Sequence, residues 1–400
     1  MTTRAARLDL ESITPAEYRA RVDRARAEME RADIDTLLIT SEANFSYFSG
    51  LRSQAWASPT RPMFLLIPAN REPIAIVPAG SRVVMQTGSW LTELRTWSAP
   101  NPADDGVTLL IEALHQCSGR SGRIGGEFGP ENQLRMPIVD FWRVQEAIHP
   151  AKFVDASAIT RRIRLVKSPA EIERIRAAAQ ILSSGFERLS STLESGLSER
   201  DACLDLQLDL LSRGMDRITY MVAASGPSGY ATINSNPSDR LLKEGDVLII
   251  DTAAPVDGYY CDFDRNYAFG SPEDATRRAF DRAFAATDAG IDAALAGARA
   301  CDVWQAMARV LGTGSNERTD VGRMGHGIGL NMTEPPSIHP ADQTLLEAGM
   351  VLAIEPGTAF RTAAGRQVVM VHEENILITE GRAVLLSRRA ADQIPVIGDV

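Results

Sequence analysis

Apolar positions in the first 150 residues switch repeatedly between helical and strand spacing. Across residues 15 to 32, Tyr18, Val22, Ala25 and Met29 recur at intervals of three and four, which predicts an amphipathic helix, and IDTLLIT then predicts a short apolar strand. MFLLIP and PIAIVPA predict two more strands, split by the turn formers of ANRE. A helix near 107–117, a strand at RIGGEF and a helix near 132–147 complete an α/β unit. The pattern places a domain boundary near residue 160 and divides the chain into 1–160 and 161–400.

The second part opens on SPAEIERIRAAAQILSSGFERLSSTL, where Ser168 followed three residues later by Glu171 predicts a capping box and a long helix. Helices at 198–213, about 274–295 and 301–311 alternate with strand-like stretches at 218–224, 246–269, near 350–355 and at 367–379. Mixed helices and antiparallel strands in this order predict an α+β fold.

Composition narrows the function. The 42 Lys and Arg against 52 Asp and Glu leave a net charge of −10, the wrong sign for a chain that neutralises phosphates, so nucleic acid is not an expected partner. The four cysteines, at 117, 203, 261 and 301, show no CxxC spacing and fit a reducing, cytoplasmic setting. Charges occupy the start MTTRAARLDLES, and no apolar run is long enough to span a membrane. Of five His, His326, His339 and His372 fall in the last 75 residues.

That skew directs attention to the C-terminal part. GDVLIIDTAAPVDGYYCDFDRNYAFG reads as strand, Asp257-Gly258 turn, strand, with Asp251 and Asp262 as near-opposite partners on one face. Two such carboxylates repel unless a cation lies between them, the alternative being that either caps a strand or pairs with Arg265. In GRMGHGIGL the flanking glycines leave His326 accessible. VLAIEPG ends an apolar strand on Glu355, and VVMVHEENILIT carries Glu373, which is either compensated in the interior or on an outward-facing position. Four carboxylates and one imidazole suit a pair of divalent first-row ions, Mn foremost, with Co, Fe or Zn as alternatives. Two ions about 3.5–4 Å apart would support hydrolysis.

The series IIDTAAPVDGYYCDFDR, GHGIG, IEPG and EEN, in this order, resembles the pita-bread metallopeptidase superfamily (M24) over roughly residues 160–390, in its aminopeptidase P, prolidase and creatinase branch. The N-terminal half, with ANFSYFSG, resembles the smaller creatinase-type domain of that branch. The resemblance implies that Asp251 and Asp262 hold one metal, Asp262 and Glu373 bridge, and His326 and Glu355 hold the other, with His326, Glu355 and Glu373 catalytic and Glu355 handling protons of the attacking water. It also implies a homodimer in which Trp56 and Arg61 of the small domain hold a substrate carboxylate. The chain departs from the peptidase pattern where relatives carry His at the positions of Asn234 and Thr333 and Arg at that of Val371. Asn234, Thr333, Glu334 and His372 are then candidates to line the substrate pocket. The expected activity is metal-dependent hydrolysis of a C–N bond in a small carboxylate-bearing substrate, as in Xaa-Pro peptidases. The alternative is a small-molecule enzyme of the same fold, similar to creatinase, ectoine hydrolase or dimethylsulfoniopropionate lyase.

Overall fold

The computed structural model describes residues 8–118, 122–312 and 322–398, so the first seven residues, and the sequence reading made of them, lie outside the described part. The chain forms two compact units, Ser12–Arg164 and a second that runs from Leu165 to the C-terminus and includes the residues up to Glu11.

Six strands make the sheet of the first unit: β1 (Thr36–Ile39), β2 (Phe64–Pro68), β3 (Ile74–Pro78), β4 (Glu93–Trp97), β5 (Arg123–Gly126) and β6 (Lys152–Asp155), in the order β4-β3-β2-β1-β5-β6. The sheet is mixed, with β2 antiparallel to both neighbours and the outer pairs parallel. β1, β2 and β3 are buried along their whole length, as their unbroken apolar runs require. The predicted helix is Pro15–Arg31, capped by Thr14, with Val22, Ala25 and Met29 buried. The helix expected from 132 starts at Ile138, after Pro137, and β4 and β6 carry too little apolar periodicity to be read from sequence. Among the described residues of this unit, one carboxylate is buried. Glu127 accepts hydrogen bonds from the backbone and hydroxyl groups of Thr40 and Ser41 and from Asn44 Nδ2, so the Asn and Ser around ANFSYFSG lock β1 to its following helix.

In the second unit, Pro169–Ser190 has the predicted capping box between Ser168 and Glu171. Two sheets follow. β7 (Tyr220–Pro227), β8 (Asp246–Val256), β9 (Tyr259–Phe269) and a short C-terminal strand, β17 (Val396–Ile397), form one, in the order β17-β9-β8-β7. β10 (Gly325–Gly327), β11 (Glu334–Ser337), β12 (Val351–Ile354), β15 (Glu374–Leu377) and β16 (Val384–Leu385) form the other, in the order β11-β10-β12-β15-β16. A separate hairpin pairs β13 (Gly357–Arg361) with β14 (Gln367–Val371). Helix Ala300–Leu311 buries Val303, Met307 and Leu311 against Leu352, Ile354 and Ile376, and Phe280 and Ala283 of helix Asp274–Ala293 pack with Val247, Ile249 and Met370. Each such side chain contributes about 1.5–3 kcal/mol by leaving water, enough to hold the sheets in place around a costly polar centre. The unit is α+β.

Candidate functional site

Asp257 and Gly258 turn the β8–β9 hairpin with φ of 52° and 83°, the doubly positive geometry that Asp-Gly adopts readily. This turn fixes the register over both strands. Asp262 lies across from Ala253, and Asp251 across from Asp264. The pairing of Asp251 with Asp262 is therefore diagonal rather than near-opposite, and a further carboxylate, the buried Asp264, directly faces Asp251 on the same side of the sheet.

The five-stranded sheet supplies the rest. A Cβ on Gly325 would come within 2.3 Å of Ala353 O, and one on Gly327 within 2.2 Å of Pro335 O, so only glycine lets β10 lie this close to both neighbours. Those glycines serve packing: His326 is 3% exposed rather than open as its flanks suggested. Its Nδ1 donates to Gly327 O at 2.9 Å, which turns the Nε2 lone pair toward Asp262 Oδ2 and Glu355 Oε1, each at 3.7 Å. Glu355 follows β12 and Glu373 precedes β15, and the register that pairs Ile354 with Glu374 brings these two residues to the same end of the ladder. One potential ligand atom from each of Asp262, His326 and Glu373 lies within 4.8 Å of the others. Asn375 ties the two sheets together here, donating from Nδ2 to Asp262 O at 2.5 Å and accepting from Asp262 N at 3.0 Å.

The electrostatics of this cluster are unfavourable as they stand. Asp251 Oδ1, Asp262 Oδ1 and Glu373 Oε1 are buried without a hydrogen-bond partner among the described residues, and each such atom costs a desolvation penalty. Burial pushes Asp251 and Glu355 up to about 7. Burial, then repulsion from neighbouring carboxylates, raises Asp262 and Glu373 well above the usual range. Burial, and then the Arg323 charge, hold His326 down at about 4, so its imidazole is neutral. A neutral imidazole lone pair aimed at carboxylate oxygens is acceptor facing acceptor, and a divalent cation resolves it. The residues present thus fit a metal.

Two groups that sequence reasoning missed border the carboxylates. Arg323 places Nε 3.6 Å from Glu355 Oε1 and donates from Nη2 to Thr333 Oγ1 at 3.3 Å. Tyr220 faces Ala253, so Tyr220, Ala253 and Asp262 form one row across three strands. Its phenol is raised by partial burial and then by Asp251, Asp262, Glu373 and Glu355. The signal for Arg323 was its position three residues before His326; a strand-end Tyr carries none.

Of the remaining candidates, Glu334 and His372 are engaged within the second unit. Glu334 forms a buried ion pair with Lys167 at 3.3 Å and accepts from Asn331 N. Asn234 is exposed. In the first unit Trp56 is buried edge-on against Phe45 with Arg135 over its ring, whereas Arg61 is exposed with a φ of 63°. His372 faces away from its neighbour Glu373: it packs edge-on against Phe280 and Phe284 and lines a separate cavity of about 170 Å³ with Arg265, Arg388 and Arg389. Glu374, next in sequence, is fully paired by Arg265 Nη2, Arg389 Nη1, Ser387 Oγ and Ala390 N. No helix among the described residues is long and apolar enough to cross a membrane.

Comparison with known proteins agrees with this architecture. The probable dipeptidase PepE of Mycobacterium bovis is 26% identical over 384 residues, covering 92% of this chain and 93% of its own. The putative dipeptidase YkvY of Bacillus subtilis is 25% identical over 382 residues, covering 94% and 99%. The crystal structure of a prolidase from Thermococcus sibiricus superposes with a TM-score of 0.84 at 21% identity, covering 97% of this chain and 100% of its own, so the fold is shared. The Creatinase/Prolidase N-terminal domain matches residues 21–166. Metallopeptidase family M24 matches residues 173–380, more than half of the chain, and the chain belongs to that family.

Proposed function

We propose that the chain is a metal-dependent dipeptidase that cleaves the peptide bond of a small, carboxylate-bearing substrate, with two divalent ions at Asp251, Asp262, His326, Glu355 and Glu373. Among these carboxylates, the buried, unpartnered oxygens of Asp251, Asp262 and Glu373 carry the reading, since no described donor satisfies them. Dipeptidase relatives and prolidase-like structures support the activity. Oxygen-rich ligation with one imidazole favours manganese, with Co, Fe or Zn as alternatives.

Bound ions would acidify a water and polarise the scissile carbonyl. The protein's own groups do the rest. His326 is held neutral with Nδ1–H fixed on Gly327 O, so Nε2 stays a lone-pair donor at any pH near 7. Glu355, beside His326 and with 22% of its side chain exposed, is suited to take a proton from the attacking water and return it to the leaving amine. Tyr220 stays protonated and offers an O–H donor along the row that ends at Asp262. Asn375 holds Asp262 by its backbone and so fixes the angle at which its carboxylate enters. A cytoplasmic homodimer belongs to the same reading, through the resemblance of both halves of the chain to the prolidase branch.

The test is a panel of dipeptides, Xaa-Pro and Xaa-Ala, assayed with manganese beside creatine, ectoine and dimethylsulfoniopropionate. Chelator-sensitive cleavage of dipeptides is expected. Inactivity on every dipeptide with turnover of one of the three small molecules would replace this reading with the alternative.

A further inference from the structure

Behind the segment that joins β14 to β15, on the side away from Glu373, lies the cavity of about 170 Å³ that His372 lines. Phe186, Phe280 and Pro395 give it apolar walls, and an apolar cavity of about 150 Å³ is enough to take up a benzene ring. His372 is 2% exposed, and neither Nδ1 nor Nε2 has a hydrogen-bond partner among the described residues. Burial, and then the charges of Arg389 and Arg265, keep the imidazole neutral, so it presents one N–H and one lone pair. Both cost desolvation free energy unless something meets them.

The other polar groups of the lining are already engaged. Arg265 and Arg389 share Glu374, Arg389 also binds Asp288, and Arg388 pairs with Glu187. Three guanidinium groups are thus matched by three carboxylates, and an added anion would arrive without a counter-charge. Tyr267 Oη donates to Phe186 O, and Asn266 Nδ2 donates to Val371 O. We propose that this cavity binds a small neutral molecule with an apolar ring and a single hydroxyl, the ring against Phe186 and Phe280 and the hydroxyl on His372. A hydroxyl both donates and accepts, so it meets whichever imidazole nitrogen faces it. A carboxylate would lack a free cation, and a bare hydrocarbon would leave the imidazole unmet. The site stands apart from the metal centre and does not rest on the dipeptidase reading.

Phenol, cyclohexanol, benzene and benzoate are the probes, titrated calorimetrically into full-length protein prepared with manganese, with saturation-transfer NMR for the weaker binders. The wild type is compared with His372→Leu, His372→Gln, Asp262→Ala and Ala390→Leu, the last filling the cavity from its wall, and the unfolding midpoint is measured for each. Phenol and cyclohexanol are expected to bind once per chain, about tenfold more tightly than benzene or benzoate, the size of one neutral hydrogen bond. The preference over benzene should vanish in His372→Leu and persist in part in His372→Gln. Ala390→Leu should abolish binding of all four probes, and Asp262→Ala should change none. If neither phenol nor cyclohexanol binds saturably at millimolar concentration, the cavity holds water only and the proposal is overturned. Benzoate binding as tightly as phenol overturns the ligand class, and a preference for phenol that survives His372→Leu overturns the role of the imidazole. Loss of phenol binding in Asp262→Ala moves the occupant to the metal centre. Should His372→Leu fail to fold, phenol binding that is unaffected by Ala390→Leu overturns the proposal by itself.

Discussion

Glu373 and Glu374 are adjacent, both buried, and differ in one respect: Glu374 accepts from two arginines, a serine and a backbone amide, whereas Glu373 keeps an oxygen with no described partner. Glu127 in the first unit resembles Glu374, being saturated by groups of Thr40, Ser41 and Asn44. Burial alone therefore does not mark a functional carboxylate. What sets Glu373 apart is burial without donors, in company with other carboxylates that are equally unprovided for, a cluster whose repulsion a proton or a cation relieves.

The contrast is sharpest under substitution. Asp262→Ala or Glu373→Ala should lower kcat/KM by about 10³-fold or more while leaving the unfolding transition cooperative, because a ligand is lost rather than a structural pair. Glu374→Ala should do the reverse: it removes the buried carboxylate that Arg265 and Arg389 share, costs about 3 kcal/mol of stability, and leaves metal binding in place. Chemical denaturation of both variants beside metal analysis separates the two outcomes. Loss of metal in Glu374→Ala with stability intact would erase the distinction.

A smaller effect per group appears in pH. Asp251 and Glu355 hold protons to about pH 7 in the fold but only to about pH 4 in the unfolded chain. The folded state thus binds more protons between these values, and the stability this gives is full below about pH 4 and is lost as pH rises toward 7. Chelator-treated protein should lose roughly 2–3 kcal/mol for each of the two groups between pH 5 and 8, and manganese should abolish the loss. A metal-free protein equally stable at both pH values would contradict it. The smallest change is expected for Asn375→Ala, about 1–2 kcal/mol from two unpaired backbone groups of Asp262, with a further drop in activity that a purely structural pair would not cause.

Sequence made much of this arrangement legible, for physical reasons. The Asp-Gly turn and the apolar runs on either side of it set the β8–β9 hairpin, and Ser168 with Glu171 set the start of a helix, since both are local signals. Register was less accessible. A spacing of 11 residues put Asp251 and Asp262 on one face, but the two-residue turn sets Asp251 against Asp264, so that carboxylate was overlooked. Tyr220 and Asn375 were missed because each reaches the cluster from a separate strand and nothing local distinguishes them, whereas Arg323, just before β10, had only its nearness to His326 as a signal. The burial of Trp56 and the ion pair of Glu334 with Lys167 are likewise tertiary facts, the second joining residues 167 positions apart.

The central claim is that the unpaired carboxylates of the second unit are completed by divalent ions. Calorimetric titration of manganese into chelator-treated full-length protein tests it directly. Two ions per chain are expected to bind, with the stoichiometry falling in Asp262→Ala and unchanged in Glu374→Ala. Binding of fewer than one ion per chain, together with full dipeptidase activity in chelator, would contradict it.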